Sequence, residues 1–330
     1  MNDLRNSILA TLGYYDILDH PLTLLEVYKY LINPGRIMKL PKGVSDIGLD
    51  SISLKLDELI KIGIIGEKNG FYHLVNKNYL YDLRIEREKI SSQKWKIFLR
   101  LSKWLAITPY LRGVFASGSM ALGNTDDNSD FDVLIIARQK RLYTCRFFLW
   151  LITSLLGVRR KRFDKIAPNK FCFNHYISDE HLNLIHESLF NAQTYIHLKP
   201  VLIEHKLIER FYSANLWLNN YVYNFRPQYH YVRRSIKPNF ILKLLAKTGE
   251  FILNTSFGDG LENILKKYQQ NRIKSNPATY ESGGRVVFND RELEFHPRSF
   301  EKIVLAKYKE NLKKLGIMPY IDEKDSGLLG

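Results

Sequence analysis

The segment from Val114 to Ile136 restricts the fold more than any other part of the chain. It opens with the apolar run Val-Phe-Ala, passes through Gly118-Ser119 and an acidic stretch, and ends in an apolar run that begins at Phe131. Apolar runs of this length, bounded by small and acidic residues, are typical of buried strands joined by a turn. We therefore expect two neighbouring strands of a sheet here.

Two carboxylates stand at the start of the second expected strand. Asp130 and Asp132 are separated by one residue, so on a strand their side chains point to the same face. Like charges so placed repel each other unless a cation lies between them, and Mg²⁺ or Mn²⁺ prefers such oxygen ligands. An acidic surface turn is the alternative, but it suits 126–129 better, since a charge beside a buried strand is costly unless it is paired or functional.

Together these residues resemble the signature of the polymerase-β-like nucleotidyltransferase superfamily, in which an apolar strand and Gly-Ser are followed by Asp-x-Asp and a second apolar strand. The matching positions are Gly118, Ser119, Ala121, Gly123, Ser129, Asp130 and Asp132. The resemblance implies an enzyme that moves a nucleoside monophosphate from a nucleoside triphosphate, such as ATP, to a hydroxyl or phosphate acceptor and releases pyrophosphate.

The resemblance also implies roles for these residues. Asp130 and Asp132 would be the catalytic carboxylates and ligate Mg²⁺ or Mn²⁺, while Gly118, Ser119 and Ser129 would bind the nucleotide. Phosphoryl and nucleotidyl transfer depend mainly on positioning and charge stabilisation, so a small site of this kind can suffice. The acceptor, whether RNA, protein or a small molecule, stays unidentified.

The chain departs from the family pattern at two places. Many short members carry arginine where Leu122 stands here, and members usually have a third carboxylate on a later strand. The corresponding strand is expected at 171–177 and contains no acid, so Asn174 or His175 is expected near the third position. For His175, a structural role is slightly preferred to that of a general base. The nearby acids that could replace the missing one are Asp164, Asp179, Glu180 and Glu187.

The alternative function follows from the missing third carboxylate. A nucleotidyltransferase-like fold without its third acid would be a regulator that binds nucleotides or nucleic acid and catalyses nothing.

Residues 1–76 resemble a winged helix, because three helical patterns precede a hairpin with Asn69-Gly70 at its tip. Winged helices commonly place their third helix in the major groove of DNA. The expected third helix, 47–62, carries more acids than bases, which disfavours DNA binding. A module that presents a protein or substrate is the preferred interpretation, and DNA binding is the alternative.

The sequence predicts an α+β protein of four parts. These are the winged-helix-like module at 1–76, a connector helix at 77–107, a nucleotidyltransferase domain with a mixed sheet and flanking helices at 108–200, and a mostly helical C-terminal domain at 201–330. Apolar periodicity further predicts helices over 180–198 and 200–224, and a small hairpin near 285–295.

Several features bear on partners and compartment. The net charge of +15 favours phosphate-bearing partners (nucleotides, nucleic acid or anionic lipid) or simply a solvated surface. The two cysteines form no CxxC pair and no signal peptide is visible, which favours a cytoplasmic protein. The apolar run 142–158 is short and contains Arg146, so a buried helix is expected there, with a membrane-surface helix as the alternative and no transmembrane segment.

Two further segments are open to more than one interpretation. The basic cluster 159–162 could hold phosphates, or it could be the solvated end of the preceding helix. The aromatic segment 221–234 fits a surface for single-stranded RNA or a base, or a packed linker.

Overall fold

The computed structural model describes residues 2–39, 47–161, 164, 166–227, 234–237 and 239–329. Within these ranges thirteen α-helices and nine strands form a mixed α+β fold with two sheets. The predicted α+β class is therefore confirmed. The middle of the aromatic segment, 228–233, lies outside the described residues.

The N-terminal part combines helices with a small sheet. Its elements are α1 (Asn2–Asp16), β1 (Leu22–Thr23), α2 (Leu24–Tyr30), α3 (Pro34–Ile37), α4 (Leu49–Lys61), β2 (Ile65–Lys68) and β3 (Phe71–Leu74). The strands are antiparallel in the order β1-β3-β2. The predicted hairpin turn is confirmed: Asn69 and Gly70 both have positive φ, which a two-residue hairpin loop requires.

A single long helix, α5 (Tyr79–Leu105), occupies the segment predicted as the connector. It contributes Trp95, Phe98 and Leu105 to the core beside the central sheet. The helix therefore packs against that sheet along its second half.

The central sheet has six strands. The first part of the chain that builds it contains β4 (Leu111–Ala116), α6 (Gly118–Leu122), β5 (Phe131–Ala137), α7 (Leu142–Leu155), β6 (Phe171–Ser178), α8 (Leu189–Tyr195) and β7 (Lys199–Ile203). Strands β4 and β5 form where the apolar runs on either side of the Gly-Ser turn predicted strands, and they pair antiparallel, whereas β5 and β6 are parallel.

The rest of the chain adds helices and the last two strands. Its elements are α9 (His205–Ala214), α10 (Leu218–Tyr221), α11 (Phe240–Leu253), α12 (Ser256–Lys274), a short 3₁₀ turn (Pro277–Tyr280), β8 (Arg285–Phe288), β9 (Glu292–His296) and α13 (Glu301–Lys314). Strand β9 pairs with β6, so the sheet order is β7-β4-β5-β6-β9-β8. The segment after residue 200 thus contributes to the same sheet as the segment before it.

Two predicted helices need correction. The helix predicted over 200–224 is wrong at its start, where β7 pairs with β4 instead. Strand β7 is at the edge of the sheet, which is where a strand tolerates a residue such as Pro200 that cannot donate to a ladder. The helix predicted over 180–198 begins only at Leu189.

The two faces of the central sheet are covered by different helices. Val133 and Ile135 point into the core that contains α5 and α7, whereas Leu134 and Ile136 point into the core that contains α8 and α9. Asp132 is two residues before Leu134 on β5, so its side chain lies on the same face of the sheet as that of Leu134. Among the described residues, no helix combines the length and apolar character that crossing a membrane requires.

Candidate functional site

The turn between β4 and α6 lies directly against Asp132. The N–H of Ser117 donates to the backbone oxygen of Asp132 at 2.9 Å. Gly118 has φ +62°, and a Cβ on it would stand 2.5 Å from Asp132 Oδ2. Glycine is therefore required there both by the backbone conformation and by the carboxylate. Ser119 follows as the second residue of α6 and is half-buried.

Asp130 and Asp132 come together with a third side chain, Cys172. One ligand atom of each lies within 4.8 Å of those of the other two. The cause is the register of the sheet, because Asp132 on β5 is paired with Cys172 on the parallel strand β6. Asn174, two residues further along β6, donates from Nδ2 to Asp132 Oδ1 at 3.2 Å.

Burial and a neighbouring charge disfavour ionisation of Asp132. Burial, followed by the charge of Asp130, raises the pKa of Asp132 to about 7, although Arg160, Cys172 and Asn174 oppose the rise. Burial and the two carboxylates raise the pKa of the Cys172 thiol. The surroundings of Asp132 and Cys172 thus favour their protonated, uncharged forms more than water does.

Arg160 neutralises part of that charge. Its Nη1 donates to Asp130 Oδ2 at 2.5 Å, and its Nη2 donates to the backbone oxygen of Asp164 at 3.3 Å. The backbone N–H of Arg160 donates to the backbone oxygen of Phe171, at the start of β6, at 3.0 Å. One member of the predicted basic cluster therefore reaches the carboxylates.

A lysine of α5 stabilises the loop that leads into Asp130 by donating hydrogen bonds to it. Lys94 is buried, and its ammonium donates to the backbone oxygens of Asp127 and Ser129 at 3.0 and 2.9 Å and to Asn169 at 3.2 Å. The Ser129 hydroxyl donates to Asp126 Oδ1 at 2.7 Å and accepts from the N–H of Asp126. Ser129, predicted to bind nucleotide, thus closes a turn beside the site.

The two residues predicted for the third position lie in different surroundings. Asn174 contacts Asp132, as described above. His175 lies in a neighbouring buried cluster, where its Nε2 is 2.9 Å from Glu292 Oε1 and its Nδ1 is 3.5 Å from the Tyr195 hydroxyl. Burial lowers the pKa of His175, but the hydrogen bond to Glu292 and the charges of Glu294 and Glu292 outweigh it, so the pKa is raised.

Among the described residues, none of the other candidate acids belongs to the ligand group that contains the pair. Asp179 and Glu180 follow the end of β6, whereas Asp132 pairs near its beginning, so the length of a strand separates them. Asp164 Oδ2 pairs with Lys170 at 3.4 Å, and Glu187 is exposed just before α8. Within the described residues, the side chain that joins the two aspartates in a possible ligand group is Cys172 and no third carboxylate.

Two of the three possible ligand side chains, Asp130 and Asp132, suit a hard divalent cation, whereas the sulfur of Cys172 is a softer ligand. Two carboxylates on one face supply oxygen ligands of the type that Mg²⁺ and Mn²⁺ prefer, and a cation between them would remove the repulsion that raises the pKa of Asp132. Sequence reasoning missed Cys172 and Lys94. The signal for Cys172 was its place at the start of the neighbouring strand, whereas a lysine within a charged helix carried no signal.

Comparison with known proteins adds no relative: no family model, no curated protein and no solved structure matches this chain.

Proposed function

We propose that the protein is a divalent-cation-dependent nucleotidyltransferase with a polymerase-β-like catalytic unit. The observation that carries the proposal is the contact between Gly118 and Asp132, with Asp130 beside them. A glycine turn packed on an acidic pair at the start of a core strand places backbone and carboxylates side by side, as binding of a metal-bound triphosphate would require.

Each residue has a distinct task in this proposal. Asp130 and Asp132 hold the cation, which when bound neutralises phosphate charge and favours ionisation of the attacking hydroxyl. Gly118 brings backbone close to the phosphates without a side chain between them, and the N–H and hydroxyl of Ser119 bind phosphate oxygens. When the nucleotide binds, Arg160 releases its hydrogen bond to Asp130 and donates to a phosphate oxygen instead. This exchange is possible because guanidinium groups bind carboxylate and phosphate in the same way.

The N-terminal part is assigned to acceptor presentation. Its strand order β1-β3-β2 and its helices support a winged-helix arrangement. On α4, Asp50, Asp57 and Glu58 are exposed, and this charge disfavours contact with a DNA backbone. The acceptor is therefore proposed to be a protein, an RNA or a small molecule held by surfaces other than α4.

Transfer assays test the proposal directly. The protein is incubated with each radiolabelled nucleoside triphosphate, with Mg²⁺ or Mn²⁺ and with the three acceptor classes. We expect label to be incorporated by the wild type, and at least about a hundredfold less by the Asp130→Asn/Asp132→Asn variant, since a missing ligand removes the bound cation. Asp127→Asn, an exposed acid of the same loop, is the matched control and should keep full activity.

One observation favours a second function, a nucleotide-binding regulator without catalysis. Within the described residues Asn174 and Cys172 stand beside Asp132, where the superfamily is expected to supply a third carboxylate. A regulator would show a Mg²⁺-dependent thermal shift with nucleotide, lost in the double variant, and no transfer to any acceptor. Absence of both transfer and nucleotide-dependent shift would contradict both functions.

A further inference from the structure

Helix α11 turns six apolar side chains toward solvent on one side. These side chains are 49% to 80% exposed and are Phe240, Ile241, Leu244, Leu245, Phe251 and Ile252. Isolated exposed apolar side chains are ordinary in soluble proteins, but six on one side of a single helix are typical of an interaction surface. We call these six residues the α11 face.

The opposite side of α11 is firmly anchored, so the exposure is a property of the folded helix. Ala246 and Leu253 are buried against the core. Glu250 accepts from Arg112 Nη1 at 2.7 Å and from the N–H of Tyr110 at 2.7 Å. At about 100° per residue, the α11 face spans an arc of about 140° on the side away from these anchors.

A groove continues the α11 face onto the end of α5. Its volume is about 770 Å³, and Trp104 and Ile107 supply apolar lining together with the first turn of α11. Cations stand around it: Arg100, Lys103 and Lys237 line the groove.

Two further lysines, Lys243 and Lys247, are exposed on α11 itself beside the apolar arc. Among the described residues, none of these five cations has a carboxylate within 4.0 Å. The apolar surface is thus bordered by unpaired positive charge.

We propose that the α11 face binds the surface of a bilayer containing anionic phospholipid. Its apolar side chains would enter the boundary between headgroups and acyl chains, and the bordering lysines and arginine would meet lipid phosphates. A helix lying in the interface with an apolar side and basic flanks has this design. Long lysine side chains suit it because their stems rest on apolar surface while their charges reach the headgroups.

The charge around the α11 face distinguishes a bilayer from other occupants. A second copy docked face to face would bring two sets of unpaired cations together, which repel. A nucleic acid would meet the cations but would leave leucine and isoleucine side chains against charged phosphates. An anionic bilayer offers acyl chains to the apolar side chains and phosphates to the bordering cations. This inference does not depend on the proposed transferase activity.

Vesicle co-sedimentation tests the proposal with the whole chain. The probes are vesicles of phosphatidylcholine alone and of phosphatidylcholine with about one third phosphatidylserine. We expect the wild type to sediment with the anionic vesicles, more weakly as salt rises because the cations become screened. Phe240→Ser/Leu244→Gln/Phe251→Ser should weaken partitioning at least about tenfold, and Lys243→Glu/Lys247→Glu should do the same on anionic vesicles.

The matched control changes the same types of residue elsewhere. Leu54→Gln/Lys61→Glu alters an exposed leucine and an exposed lysine on α4 and should partition like the wild type. All substituted positions are exposed, so circular dichroism and the unfolding midpoint should stay unchanged. The proposal is overturned if the wild type remains in the supernatant, or if the triple variant binds as well as the wild type. Sedimentation velocity that finds a wild-type dimer broken by the triple variant would overturn it in favour of self-association.

Discussion

At the scale of single residues, Gly118 connects backbone geometry to the candidate chemistry. Its φ of +62° disfavours any side chain, and a Cβ would in addition stand 2.5 Å from Asp132 Oδ2. Gly118→Ala should therefore displace the carboxylate, abolish nucleotide transfer and lower the free energy of unfolding by about 2 kcal/mol or more. Urea unfolding and the transfer assay measure the two effects.

Gly123 is the natural control for this substitution. Its φ is +81°, but no atom of the described residues lies within 4 Å of the position where a Cβ would be. Gly123→Ala should cost about 1 kcal/mol from backbone strain and leave transfer largely intact. Equal activity losses in the two variants would mean that the contact with Asp132 has no special importance.

Asn174 offers a gain-of-function prediction. Because its amide already contacts Asp132, Asn174→Asp would place a third carboxylate in the site. We expect tighter Mn²⁺ binding, by about tenfold, and lower stability without the metal, since like charges then crowd one buried site. Isothermal titration calorimetry with Mn²⁺ and unfolding in EDTA measure these effects, with Asn174→Ala as the control. Unchanged Mn²⁺ affinity would place the cation elsewhere.

At the scale of elements, α5 supports the site from a distance through Lys94. Replacing it by methionine keeps the apolar stem but leaves three oxygens of the adjoining loops without their donor. Lys94→Met should lower the free energy of unfolding by about 2 to 3 kcal/mol and slow transfer, because the loop that positions Asp130 loosens. The exposed Lys96→Met on the same helix should change neither quantity, and a similar loss in both variants would argue against the bracing role.

Sequence patterns predict elements better than they predict how elements meet. Strands β4 and β5 are recognisable because apolar runs flank an acidic turn, and the β2–β3 hairpin because Asn69-Gly70 suits its turn. Strand β7 was missed because Pro200 and a following helical pattern conceal an edge strand of five residues. The position of Cys172 beside Asp132 depends on parallel register between strands far apart in sequence, and no local pattern encodes that.

At the scale of the whole molecule, residues far apart in sequence share one hydrophobic core and one sheet. Tyr308 and Leu312 of α13 belong to the same core as Ile8 and Leu12 of α1. Strand β9 completes the central sheet beside β6. Periodicity could not predict this pairing, because it reveals the apolar side of a helix but not its partner. The division of the sequence into four consecutive domains stays a prediction.

A buried ion network joins the last strands to α13 and makes stability depend on pH. Arg285 donates to both carboxylate oxygens of Glu294 at 2.6 and 2.7 Å, and its Nη1 lies 3.4 Å from Glu301 Oε2. Burial opposes ionisation of Glu294, but the hydrogen bonds from Arg285 and the charges of His175 and His296 outweigh it and lower the pKa to about 2.

Because the pKa of Glu294 in the folded protein is below its ordinary value of 4.5, its ionisation favours folding above about pH 4.5, and this contribution is lost as pH falls toward 2. The full contribution is about 3 kcal/mol. Urea unfolding at about pH 5 and about pH 3 should therefore show a larger loss of stability for the wild type than for Glu294→Gln, which is already destabilised at neutral pH. Glu310→Gln, which removes an exposed carboxylate beside Lys314, should retain nearly the whole wild-type pH dependence. Identical pH dependence in the wild type and Glu294→Gln would mean that Arg285 does not hold Glu294 ionised in the folded state.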